Sequence, residues 1–444
     1  MAEDGLSPLA VCSMLVNVCM GIGFLTLPYS TLKLGLVPAV TTTLGLGGFA
    51  ICTALWLITA LSLTSALIRN NPDPEVSART RLSTCVKKGA LMEGSQFGAC
   101  EAGGHGKDRF RLSTRLQLCF VELIGYHFGK ASQQVTMAIM TLILVLTMWS
   151  WAAIFASSMA AMVAVPFVGD TCDVYSEWEE PGCALSYHAY LATFATLMVM
   201  LARMDAKETQ YFQFAMTGCR MLLGLAIIGT CLRMLYLQEA PPHPARASRS
   251  HGASIGGADL TYHANSFPDR PAIQTFHLGF ASEHVALVIL SLSVHNVMPE
   301  TIHELADKKR NLIRVVGLSL LFCVVVYALV SIVVVETFGA WTRPVCTLNW
   351  VNYTGGEKTA GAFAKIIKGY IMLVPAFDVG AAYPIFAQSL ASNLSYVLGS
   401  SLEDGKPSLQ LRLLCTLCPL IGAACIYDVA RTLGWCGVML VPFI

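Results

Sequence analysis

The sequence predicts an all-α, multi-pass membrane protein, and three observations carry that prediction. Of 444 residues, 55% are hydrophobic and 13% charged, with a mean hydropathy of +0.60. That balance is too apolar for a soluble domain with a polar shell. Second, charge-free runs recur from Gly5 to Leu32, Leu34 to Ile68, Ala131 to Gly169, Pro181 to Ala202 and Val315 to Val335. Each meets the length that crossing a hydrocarbon core of about 30 Å demands, roughly 20 residues. Third, the charged residues collect between these runs. One soluble core cannot bury five such stretches.

Along the chain, the apolar pattern places membrane helices near 9–31, 38–68, 133–165, 185–203, 211–236, 276–298, 313–335, 366–391 and 411–430, with a partial one at 432–444. That makes ten, the last incomplete. The start, MAEDGLS, lacks the basic region and small-residue cleavage site of a signal peptide, so the first run reads as a retained helix. The whole of 1–444 reads as one transmembrane domain with a cytoplasmic loop insertion at 69–113 and an external one at 238–272, both rich in Gly, Ser, Pro and His and without apolar period.

Orientation follows from lysine and arginine, which are retained on the cytoplasmic side. Lys87, Lys88, Arg109 and Arg111 stand in the first long loop, and Lys308, Lys309, Arg310 and Arg314 follow the sixth helix. The loop at 166–184 alternates with them and carries only acids: Asp170, Asp173, Glu177, Glu179 and Glu180. The N-terminus is therefore expected in the cytoplasm, with the sequon at Asn352 outside, open to glycosylation, and that at Asn393 inside. Cys172 and Cys183 flank the acidic loop and form a candidate disulfide if it faces an oxidising compartment, with Cys346 a rival partner. Cys415-x-x-Cys418 has no accompanying ligand set, so no metal site is expected.

Two helices carry residues that break helices. The first has Asn17, Gly21, Ile22 and Gly23 at its middle, then Pro28. Glycine costs about 1 kcal/mol in a helix interior and proline about 3 kcal/mol. The sixth has Ser291, Ser293, His295 and Asn296 ahead of Pro299. Backbone that leaves helical angles frees amides and carbonyls that hydrocarbon cannot satisfy, so it is tolerated where it lines a cavity or a solute. Packing through small residues is the plainer reading of the glycines. Two breaks five helices apart, one in each half, suit a plan in which half-helix N-termini hold an anionic group while freed carbonyls hold a cation. Asn17, Gly21, Ile22, Gly23, Ser291, Ser293, His295 and Asn296 are accordingly the candidate substrate-binding residues.

These same residues resemble a known family. Asn17-x-x-x-Gly21-Ile22-Gly23-Phe24-Leu25-Thr26-Leu27-Pro28-Tyr29 is similar to the first-helix signature of the amino acid/auxin permeases. His295 to Leu305 resembles their sixth-helix exit, and Tyr383-Pro384-Ile385 their eighth-helix segment. The resemblance implies a five-plus-five inverted-repeat, leucine-transporter-like helix bundle that carries amino acids by alternating access, coupled to protons or sodium, with no other cofactor. It also implies eleven helices. Only 13 residues follow Arg431, about 20 Å of helix at 1.5 Å per residue, so the C-terminal end is expected to be truncated.

Two charges fall at membrane depth, where insertion costs at least about 2.5 kcal/mol each. Asp378 stands in the eighth helix, where the wider fold places hydroxyls around sodium, and Arg220 stands in the fifth. Either the two pair in place of the ion, or Arg220 snorkels to the cytoplasmic surface while Asp378 faces a vestibule. Glu283 and His284 read as interfacial. A net charge of +1 gives no argument for nucleic acid. There is no phosphate-binding G-x-x-x-x-G-K-[ST] motif, and His295, Glu300 and His303 do not form H-E-x-x-H, so an enzyme is not expected. The expected partners are an amino acid and the lipid bilayer, with no obligate protein partner. A sensor with the same fold and little flux is the alternative.

Overall fold

The computed structural model describes residues 6–70, 120–165, 171–172, 174, 178–204, 210–237, 277–295, 297–303, 305–356, 361–398 and 407–427. Twelve α-helices lie among them: α1 (Pro8–Cys19), α2 (Ile22–Leu34), α3 (Leu36–Asn70), α4 (Phe120–Phe128), α5 (Lys130–Met162), α6 (Pro181–Leu201), α7 (Gln210–Tyr236), α8 (Ala281–Leu292), α9 (Met298–His303), α10 (Lys308–Phe338), α11 (Ala362–Leu398) and α12 (Leu409–Cys425). Both loop insertions and the partial tenth helix fall almost wholly outside the described residues.

Among the described residues, five helices, α3, α5, α6, α7 and α10, are long and apolar enough to cross a membrane, and α1 with α2, bent by 44° at the break between them, passes the same test as a pair. The apolar helices α8 and α12 are shorter. The sequence reading missed α4, whose nine residues, FVELIGYHF, are too few to register as a span. Gly129, at φ 89°, turns the chain from α4 directly into α5.

Helix ends follow local chemistry. The Ser7 hydroxyl accepts from the Ala10 amide with Pro8 at the first position, so α1 starts with one of its orphan donors satisfied. Pro181 likewise occupies the first position of α6, there without a side-chain cap. Gly35, at φ 102°, ends α2 in a conformation that residues with a Cβ rarely adopt, and so sets the tight reversal into α3.

Burial separates interior posts from lipid-facing spans. In the most apolar stretch of each helix, 67% of residues are buried in α5 and 61% in α10, against 28% in α3 and α6 and 33% in α7. The outward faces are rows of large apolar side chains, such as Leu222, Leu225 and Leu232 on α7 and Leu414, Leu417 and Ile421 on α12. Water would penalise such rows, whereas hydrocarbon accommodates them. The two broken elements lie beside these posts: α2 packs on α8, α1 on α9, and α1 also on α7 and α10.

Candidate functional site

The first break falls at Met20 and Gly21. The last amide of α1, on Met20, reaches the Val16 carbonyl at 2.8 Å, and Gly21 begins α2 without a side-chain cap. The second break runs from Ser293 to Val297, between α8 and α9. Leu6, ahead of α1, pairs with Leu305, after α9, while the Lys33 ammonium near the end of α2 meets the Glu283 carboxylate near the start of α8 at 3.4 Å. The two broken elements therefore run antiparallel, and their interruptions face each other.

A cavity opens between them, lined by Val18, Cys19, Gly23, Ile143, Thr147, Trp151, Leu290, Ser291, Ser293 and Phe386. The space it holds for solvent-sized molecules is small, about 30 Å³. No charged side chain is among these lining residues. The glycines are there for approach. A Cβ on Gly23 would lie 1.9 Å from the Ser291 hydroxyl oxygen, and one on Gly21 would lie 3.1 Å from the Trp151 ring. The backbone of α2 thus touches α8 on one side and α5 on the other.

The candidate residues divide between wall and frame. Gly23, Ser291 and Ser293 line the cavity. Gly21 abuts it through Trp151. Asn17 belongs to the frame. It is wholly buried, its amide donates to the Gln213 carbonyl at 2.9 Å and to Gln213 Oε1 at 2.7 Å, and its own oxygen accepts from Thr217 at 2.9 Å. Gln213 passes the link on to the Ala381 carbonyl of α11 at 2.9 Å. Thus one polar chain fixes α1, α7 and α11 together. His295 meets the Thr53 hydroxyl of α3 at 2.9 Å. Asn296 and the side chain of Ile22 lie outside the described residues.

Arg220 does not snorkel. It is 2% exposed, and its Nη1 donates to the Val16 carbonyl at 3.4 Å. The end of α1 explains why a cation rests there, because the last carbonyls of a helix carry partial negative charge. Tyr327 donates to the neighbouring Cys19 carbonyl. Side chains of α7 and α10 thus engage the Val16 and Cys19 carbonyls at the end of α1. The Asp378 side chain lies outside the described residues, and with it the Arg220–Asp378 pair.

His284 is fully buried. Its Nδ1 is 2.9 Å from the Ser30 hydroxyl, and its Nε2 is 3.1 Å from the Ala39 carbonyl and 3.2 Å from the Thr43 hydroxyl. One ring thereby joins α8, α2 and α3. Cys172 and Cys183 are joined by a disulfide, and Cys346 is free and buried. Asn352 lies half-buried in the turn after residues 346–350.

Sequence reasoning missed Trp151, Thr147 and Phe386, because they stand on the uninterrupted helices α5 and α11. One signal was present. Tryptophan in membrane proteins favours the interfaces, yet Trp149 and Trp151 stand in the middle of a 33-residue helix.

Apolar spans and lipid-facing rows define the class: a multi-pass α-helical membrane protein. The chain is similar to the Transmembrane protein 104 homolog of Dictyostelium discoideum, at 20% identity over 418 residues, which cover 85% of this chain and 73% of that protein. That name records a membrane location and no activity. No family model matches the chain, so the likeness to amino acid/auxin permeases rests on the sequence motifs quoted above.

Proposed function

We propose that the chain is a secondary active transporter that moves amino acids across a membrane by alternating access in a five-plus-five inverted-repeat bundle. The observation that carries this reading is the cavity between two facing helix interruptions, five spans apart, with Gly23 on one side and Ser291 and Ser293 on the other. Interrupted helices leave peptide groups unpaired at membrane depth, and a zwitterion offers the charges to satisfy them. Protons or sodium supply the driving force. A fixed guanidinium at the end of α1, where a bound cation would otherwise gain from the helix dipole, favours the proton. In this reading Arg220 and Asp378 are the coupling groups, the N-terminus is cytoplasmic, and no chemical step is catalysed.

The test is uptake of the twenty labelled amino acids into proteoliposomes under imposed pH and sodium gradients. Saturable, gradient-dependent uptake is expected. Gly23→Val, which forces a side chain into Ser291, lowers it by about 10–100-fold, the size of a typical overpacking penalty. Saturable binding without flux would instead identify a sensor. Absence of both from the wild-type chain would end the amino-acid reading.

A further inference from the structure

Trp151 carries a hydrogen-bond donor that no described residue accepts. The side chain is 2% exposed and lines the cavity, yet among the described residues its indole Nε1 has no hydrogen-bond partner. Nε1 sits 3.6 Å from where a Cβ on Gly21 would stand, which is beside the start of α2, whose first amides lack a side-chain cap. The Phe386 ring, packed edge-on at 4.6 Å between centroids, holds the indole in place. An indole nitrogen can only donate, so its missing partner is an acceptor.

Two hydroxyls of the wall have the opposite character. Thr147 donates its hydroxyl proton to the Ile143 carbonyl at 2.8 Å, and Ser291 donates to the Leu287 carbonyl at 2.6 Å. With those protons committed to their own helices, both oxygens face a ligand as acceptors only. The cavity therefore offers a donor at Trp151 and acceptors at Thr147 and Ser291. Around them stand Val18, Ile143, Leu290 and Phe386, with no charged lining side chain to meet a third ligand charge.

We infer that Trp151 donates its indole N–H to the carboxylate of a small amino acid with an uncharged side chain, whose ammonium is received by the Thr147 and Ser291 oxygens. This rests on the transporter reading and adds the ligand's orientation and class. Water held between the same groups is the competing occupant.

The probes are L-alanine, ethylamine, which lacks the carboxylate, and propionate, which lacks the ammonium. Each is titrated against the full chain in detergent and against Trp151→Phe, which keeps an aromatic ring and removes the N–H. L-alanine is expected to bind at least about tenfold more tightly than ethylamine or propionate, as loss of a charge-assisted hydrogen bond implies. In Trp151→Phe, L-alanine weakens by a similar factor while ethylamine is unchanged, a difference that general damage to the fold would not produce. Equal affinity of the wild-type chain for L-alanine and ethylamine overturns the inference without reference to any variant. Unchanged L-alanine affinity in Trp151→Phe also overturns it and leaves the transporter reading standing, with water as the partner of the indole. If the wild-type chain binds none of the three probes but takes up another amino acid, the ligand class is wrong. If it takes up none at all, the transporter reading falls as well.

Discussion

The two ends of the broken helix pair are closed by different chemistry. Where α1 begins and α9 ends, closure is by backbone: Leu6 pairs with Leu305, and the Ala306 amide donates to the Leu6 carbonyl at 2.9 Å. Where α2 ends and α8 begins, side chains supplement a backbone bond from the His277 amide to the Leu34 carbonyl at 3.1 Å. His284 gathers Ser30, Thr43 and the Ala39 carbonyl, while Lys33 meets Glu283 and lies 4.5 Å over the Tyr29 ring and 5.2 Å over that of Phe280. A backbone closure is indifferent to most substitutions and yields when the chain moves. A side-chain closure can be removed piece by piece, and its members contribute unequally, because burial sets the cost of leaving a polar group unpaired.

That contrast can be broken in a graded way. His284→Ala removes the ring that joins Ser30, Thr43 and the Ala39 carbonyl and opens a void, so a loss of about 3 kcal/mol is expected, read as a lowered Tm in detergent. Loss comparable to that of Lys33→Ala would show that the ring bears no weight. Asn17→Ala removes three hydrogen bonds of the buried link between α1 and α7 and should cost about 2 kcal/mol. The same assay reads it, and substrate affinity in the surviving fraction should change little if Asn17 is frame and not wall.

Ala306→Pro deletes the amide that holds Leu6, at about 1 kcal/mol. Its sharper readout is accessibility: alkylation of Cys19, which lines the cavity and is 2% exposed, should rise several-fold when followed by mass spectrometry. No rise would mean that this end stays shut without the pairing. The smallest effect belongs to Lys33→Ala. This ion pair joins side chains 28% and 37% exposed, and solvent-screened pairs of that kind contribute about 0–1 kcal/mol, less in high salt.

The breaks were legible because glycine, proline and polar residues are costly in a membrane helix, and Gly21, Gly23, Ser293 and Pro299 advertise that cost in the sequence. What each neighbouring residue faces was not legible. Asn17 stands a turn before the first interruption and was expected in the wall, but the 44° bend re-aims everything after it, so positions counted along a straight helix do not carry across. His284 was hidden for a similar reason. Its neighbour Glu283 suggests an interface, whereas its partners come from α2 and α3 and are brought to it only by packing. Trp151 and Phe386 sit on unbroken apolar helices, and only tertiary structure turns them toward the cavity.

The approach of Gly23 to Ser291 has a mechanical consequence. Atoms already at contact resist compression steeply, while only weak dispersion forces oppose their parting. The joint between α2 and α8 is thus stiff in one direction and compliant in the other. The chamber beside it can gain volume when the half-helices separate, but has almost no room to shrink. Any spreading of this seam pulls on the ring of His284, which ties α8 to α2 and α3.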